Sequence, residues 1–149
     1  MSRIVLLDTG PLGQLVNPHN TAKTLAIQQW VADLLAAGCR IIVPEIADYE
    51  LRRELIRNNG ATALSNLDSL GTTLEYLPVT TAAFRLAASL WAQARNAGRP
   101  TAPDPALDAD VILAAQALAL NDPAVVVATG NPNHLARYVA AADWLTISP

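Results

Sequence analysis

The sequence holds a single cysteine, Cys39, and two widely separated histidines, His19 and His134. One thiol forms no intrachain disulfide, and no Cys or His cluster with zinc-ligand spacing exists. Any bound metal must therefore be held by oxygen, which favours a hard cation such as Mg²⁺ or Mn²⁺. Charge is also sparse. Only 15% of the 149 residues are Asp, Glu, Lys or Arg against 52% hydrophobic, which excludes a disordered chain. Yet no apolar run approaches the roughly 18 to 20 residues of a membrane span. The run Ile4 to Leu7 after Arg3 is too short for a signal peptide. The expectation is a cytoplasmic protein without a membrane segment. A basic surplus is missing too: the net charge is −3 and the pI about 5.2. Nucleic-acid contact then requires a local basic patch or a partner that supplies one. Repeats and low-complexity stretches are absent, and the length suits one domain over 1–149.

What is present alternates between strand and helix patterns. Arg3 to Leu7 reads as a strand ending in a turn at Asp8-Thr9-Gly10-Pro11. Thr21 to Ala37 has helical spacing and stops at Gly38. Arg40 to Val43 is a second strand, and Pro44 opens a helix to about Asn58, before Gly60. A short helix over Ala61 to Leu70 and a strand over Leu74 to Leu77 follow. Thr80 to Ala97 is helical; Gly98 to Pro105 is a proline-rich loop. Leu107 to Leu120 is apolar nearly all round, as in an interior helix. Ala124 to Ala128 is the clearest strand, Asn131-Pro132 starts a short helix, and Trp144 to Ile147 suits an edge strand. Strands separated by helices predict a parallel sheet covered on both faces, with chemistry at the carboxyl ends of the strands.

Four side chains are predicted to converge there. Asp8 follows the first strand, although Asp-Thr-Gly-Pro is also good turn chemistry. Glu50 sits on the flank of the helix after the second strand, where pairing with Arg53 is the plain alternative, as Glu54 with Arg57. Glu45 suits the positive end of that helix. Asp110 heads the apolar helix, where an unpaired charge is costly. Asp108, two residues earlier, points about 200° away and suits a helix cap. Thr129-Gly-Asn131 ends the last clear strand, with Asn131 a good N-cap whose side chain could also hydrogen-bond a metal-bound water. Clustered carboxylates repel one another, so they need protons or a cation, and such a cluster suits phosphodiester hydrolysis. Arg52, Arg53 and Arg57 form the densest basic cluster and are natural phosphate contacts beside it.

Four blocks of the chain resemble the PIN-domain nucleases, including the VapC-like toxins of prokaryotic toxin–antitoxin pairs. They are Ile-Val-Leu-Leu-Asp8-Thr-Gly-Pro-Leu, Val-Pro-Glu-Ile-Ala-Asp-Tyr-Glu50-Leu-Arg-Arg-Glu-Leu, Leu-Asp-Ala-Asp110-Val-Ile-Leu-Ala-Ala and Val-Val-Val-Ala-Thr129-Gly-Asn131-Pro-Asn-His-Leu. They occur in the family's order across nearly the whole chain. The resemblance implies a three-layer α/β/α sandwich with a central, mostly parallel sheet. It places Asp8, Glu50 and Asp110 as catalytic metal ligands for Mg²⁺ or Mn²⁺, Asn131 in the fourth catalytic position and Thr129 in support. It further implies an RNA substrate, frequent homodimers and an antitoxin whose tail covers the acidic site. The departure is Asn131, where many members carry Asp.

Two rival readings compete with this one. Aspartyl-phosphate phosphatases also place Asp after a first strand, but they need a second Asp where this chain has Gly10. A non-catalytic PIN-like module that binds RNA or protein agrees with the acidic charge and Asn131, and disagrees with intact Asp8, Glu50 and Asp110.

Overall fold

The computed structural model describes residues 2–98 and 104–149. Strands β1 (Ile4–Leu7), β2 (Arg40–Pro44), β3 (Glu75–Leu77), β4 (Val125–Ala128) and β5 (Ala141–Ala142) pair in parallel, in the order β3-β2-β1-β4-β5. Between them run α1 (Thr9–Val16), α2 (Ala22–Ala36), α3 (Glu45–Arg57), α4 (Ala61–Thr73), α5 (Thr81–Asn96), α6 (Asp104–Ala119) and α7 (Pro132–Leu135). Because successive strand residues point to opposite faces, the apolar strands feed two cores. Val5, Leu7, Ile41, Val43, Val126 and Ala128 pack with Leu12, Leu34, Leu51 and Leu67 from α1 to α4. Ile4, Leu6, Ile42 and Val127 pack on the other face with Leu113 and Ala117 of α6 and with Leu135. Alanines 83, 87, 94, 114 and 115 let α5 and α6 pack closely outside that second layer. This is the three-layer α/β/α arrangement.

Several boundaries depart from the sequence reading. The turn expected at Asp8 to Pro11 is the start of α1. Asp8 is its N-cap and accepts from the Thr9 N–H at 2.7 Å. Pro11 is harmless there because the first N–H groups of a helix have no intrahelical acceptor. The same tolerance lets α6 begin at Asp104-Pro105, earlier than expected. Asp108 therefore lies inside the helix and not at its cap; most of the proline-rich loop, 99–103, lies outside the described residues. At the end of α3 the left-handed residue is Asn59 (φ 55°), not Gly60, whereas Gly38 (φ 82°) closes α2 as expected. The expected edge strand at Trp144 to Ile147 is displaced. β5 falls on Ala141–Ala142, and Trp144–Thr146 form a 3₁₀ turn capped by the Asp143 carboxylate, which accepts from Leu145 N–H. Cys39, at the head of β2, is buried.

Candidate active site

In a parallel sheet the crevice opens where the strand order reverses. Here that point lies between β1, from which the chain proceeds outward through β2 and β3, and β4, from which it proceeds to β5. Asp8 follows β1 and Thr129 follows β4. The Asp8 N–H donates to Ala128 O at 2.9 Å, and Thr129 Oγ1 donates to Asp8 Oδ2 at 2.7 Å, joining the two lips of the crevice. Thr129 is 1% exposed, so its hydroxyl is committed to this bond and to the Asn131 N–H, which it accepts at 3.1 Å.

Glu50 reaches the same edge from the second turn of α3. Its Oε1 accepts from Thr9 Oγ1 at 3.0 Å, and Arg53 lies 3.9 Å from Oε2. Burial raises the Glu50 carboxyl above its ordinary range, the Thr9 bond opposes the rise, and the Asp8 charge adds to it. Asp110 enters from α6. Its carboxyl is pushed up to about 6, first by burial and then by the charge of Asp8, with His134 opposing and Glu50 adding. Its Oδ2 is buried with no hydrogen-bond partner among the described residues; His134 Nδ1 lies 3.7 Å away. Glu50 thus feels the charge of Asp8, and Asp110 that of both Asp8 and Glu50. Asp108 is exposed, as the 200° separation from Asp110 predicts.

Among the described residues, no three acidic, histidine or cysteine side chains stand close enough to hold a metal ion as they are placed. The donor chemistry nonetheless fits a hard cation. The set is all oxygen, two of its carboxyls resist ionisation, and one buried oxygen is unpartnered. Hydroxyls of Thr9 and Thr129 hold the carboxylates in the meantime.

The remaining candidates divide. Asn131 is the N-cap residue of α7 but makes no side-chain cap bond; its Nδ2 lies 3.2 Å from His134 Nδ1. Of the arginines, Arg53 is nearest the site and stacks over Tyr49, with 5.2 Å from Cζ to the ring centroid. Arg52 is committed elsewhere, to Asp48 at 2.8 Å and Asp68 at 2.9 Å, and Arg57 to Glu54 at 2.6 Å. Sequence reasoning missed Thr9 and His134. Thr9 was visible in the Asp-Thr-Gly block as a hydroxyl beside the first acid. His134 had no signal beyond its spacing of three from Asn131, which puts both on one side of a helical turn.

A family model described as "PIN domain" matches residues 5–139. A comparison with curated proteins returned no match. Among solved structures, VapBC2 from Rickettsia felis, bound to a DNA fragment from its promoter, aligns with a TM-score of 0.71 at 19% identity, covering 95% of this chain and 98% of that one. DNA-bound VapBC from Salmonella typhimurium aligns at 0.69 and 19%, covering 97% and 99%. VapBC-1 from nontypeable Haemophilus influenzae aligns at 0.65 and 18%, covering 96% and 99%.

Proposed function

The chain belongs to the PIN-domain family, and from that premise we propose that it is a metal-dependent endoribonuclease, the toxin of a toxin–antitoxin pair. The observation that carries the reading is the meeting of Asp8, Glu50 and Asp110 at the strand-order reversal, with Asp110 Oδ2 buried and unpartnered. Asp8, Glu50 and Asp110 would hold Mg²⁺ or Mn²⁺. When bound, such a cation activates water and stabilises charge on the attacking and leaving oxygens of a phosphodiester. The chain's own residues do the rest. Thr129 and Thr9 fix the Asp8 and Glu50 carboxylates through single hydrogen bonds, so these acids are oriented before substrate arrives. His134 and Asn131 line the Asp110 side and orient a polar group there. Arg53 offers a guanidinium to a neighbouring phosphate, and Arg52 and Arg57 would reach RNA only by exchanging Asp48, Asp68 and Glu54 for phosphate oxygens.

The partners follow from the same reading: an RNA substrate, a second copy of the chain, and an antitoxin whose segment covers the acidic crevice. One observation favours the alternative of a non-catalytic binding module, namely that the acids are not gathered into a ligand set. One experiment decides between the two. Purified protein is incubated with mixed RNAs in Mg²⁺ or Mn²⁺ and in excess EDTA. The reading requires cleavage that EDTA stops and Asp8→Asn removes, with 5′-phosphate and 3′-hydroxyl ends. Undiminished cleavage in EDTA, or 2′,3′-cyclic phosphate ends, would overturn the metal mechanism; no cleavage of any RNA would favour the binding module.

A further inference from the structure

Beside the acidic crevice lies a second feature that the carboxylates do not use. A cavity of about 400 Å³ is bordered by Gly10 of α1, Gly130 of the β4–α7 link, Gln14, Lys23 of α2, Trp144 and Asp143, whose carboxylate accepts from Leu145 N–H. Gly10 comes two residues after Asp8 and Gly130 directly after Thr129, so the cavity opens against the two lips of the crevice. A Cβ on either glycine would meet nothing within 4 Å, which leaves that border open. Its volume is that of a small-ligand site.

The lining has the chemistry of a nucleotide subsite. Trp144 is held against Trp30, with ring centroids 5.5 Å apart, and Trp30 is itself fixed by donating Nε1–H to Ile147 O at 2.9 Å. A fixed aromatic ring is a ready platform for an unstacked base. Lys23 is the only lysine of the chain. Among the described residues it has no ion-pair partner, unlike Arg40, Arg52, Arg53 and Arg57. Gln14 borders the cavity, and its Oε1 is a buried acceptor with no hydrogen-bond partner among the described residues, a group that a base N–H or amino group would satisfy.

We infer that this cavity receives one splayed-out base of a single-stranded RNA, next to the phosphodiester held at the carboxylates, with Lys23 on an adjacent phosphate. The inference rests on the ribonuclease reading and adds to it a subsite that demands an unpaired nucleotide. Duplex RNA, whose bases stay stacked, does not fill it.

The test is fluorescence anisotropy of the full chain carrying Asp110→Asn, in Mg²⁺ buffer over a range of salt. The probes are a labelled rA decamer and an all-abasic decamer of the same length. Trp144→Ala should weaken rA binding roughly tenfold, the range of one base–aromatic stack, and leave the abasic decamer unaffected. Trp144→Phe should restore most of the loss. Lys23→Ala should weaken both probes and lower the slope of log affinity against log salt by about 0.7. If Trp144→Ala fails to fold, Lys23→Ala decides alone, because that exposed side chain is no part of the core. Unchanged affinity and slope in the variants would overturn the subsite, including the case where the cavity seats an apolar side chain of a partner protein. Metal-dependent cleavage by the native chain would then still stand. If the native chain cuts no RNA and the parent binds neither decamer, the ribonuclease reading fails and takes the subsite with it.

Discussion

On the proposed reading Asp110 would be charged for chemistry while lying where charge is expensive. Its carboxyl rises from 3.8 to about 6 in the fold. A group raised by folding contributes stability that is fully present below its unfolded value and lost as pH rises through the folded one. Metal-free protein should therefore lose stability between pH 3.8 and about 6, by roughly 1–3 kcal/mol, and stay lower above that window. Asp110→Asn removes the term. We expect it to melt about 3–8 °C higher than the native chain in EDTA at pH 7.5, and no higher at pH 3.5. Mg²⁺ should raise the melting temperature of the native chain more than that of the variant. Cleavage by Asp110→Asn should fall by roughly 10²-fold or more. Thermal melts at the two pH values, with and without Mg²⁺, check the pair of expectations. Asp108, exposed and in the second turn of α6, gives the contrast. Asp108→Asn should shift stability by less than about 0.5 kcal/mol and keep most activity, because it caps nothing. A dead but folded Asp108→Asn would mean the wrong acid has been assigned.

At the scale of elements, a buried amide adds a polar tie to the packing of α6. Gln116, 1% exposed within the apolar run of that helix, donates Nε2–H to Leu77 O at 2.8 Å and accepts from Ile46 N–H at 3.4 Å. It ties α6 to the ends of β3 and α3, the helix that carries Glu50. Gln116→Leu strands both backbone groups and should cost about 2 kcal/mol, read by urea denaturation, with cleavage weakened because α3 and α6 lose a fixed separation. This tie was invisible in the sequence, since an apolar run says which face is buried but not what one glutamine within it will meet. The sheet, by contrast, was legible almost entirely. Ile4 to Leu7, Arg40 to Val43 and Ala124 to Ala128 are short β-branched runs between turn signals, and the alternation of helices left only a parallel arrangement. Two of the slips came from prolines. Pro11 and Pro105 read as loop signals, yet both lie in first turns of helices, where a missing N–H costs nothing. Within the candidate site, Asp8 could be proposed because it follows a strand end, Glu50 because its helix follows the next strand, and Asp110 because its helix leads back to β4. Thr9 and His134 could not, because their partners lie on other elements. Nor could the sequence tell that Arg52 would be claimed by Asp48 and Asp68, whereas Arg53 stays beside Glu50.

On the scale of the whole molecule, a net charge of −3 would keep any RNA affinity modest, and the surface carries several exposed aromatic groups. Tyr49 on α3 and Phe84 and Trp91 on α5 are 56%, 53% and 38% exposed. They are natural material for the proposed contact between two copies, since aromatic groups dominate such interfaces. Phe84→Glu should convert a dimer to a monomer in light scattering at micromolar concentration; a native chain that is monomeric at that concentration would remove the dimer from the proposal. Stability of the whole can be followed without adding any label. Cys39 is 6% exposed and packed in the larger core, among Val5, Leu34 and Ile41. Reagents reach its sulfur only when β2 parts from the sheet, so the half-time of alkylation in native buffer is a clock for that opening. Because β2 leads directly into the helix of Glu50, the same clock should slow when the acidic crevice is filled and run unchanged when a ligand binds anywhere uncoupled from it.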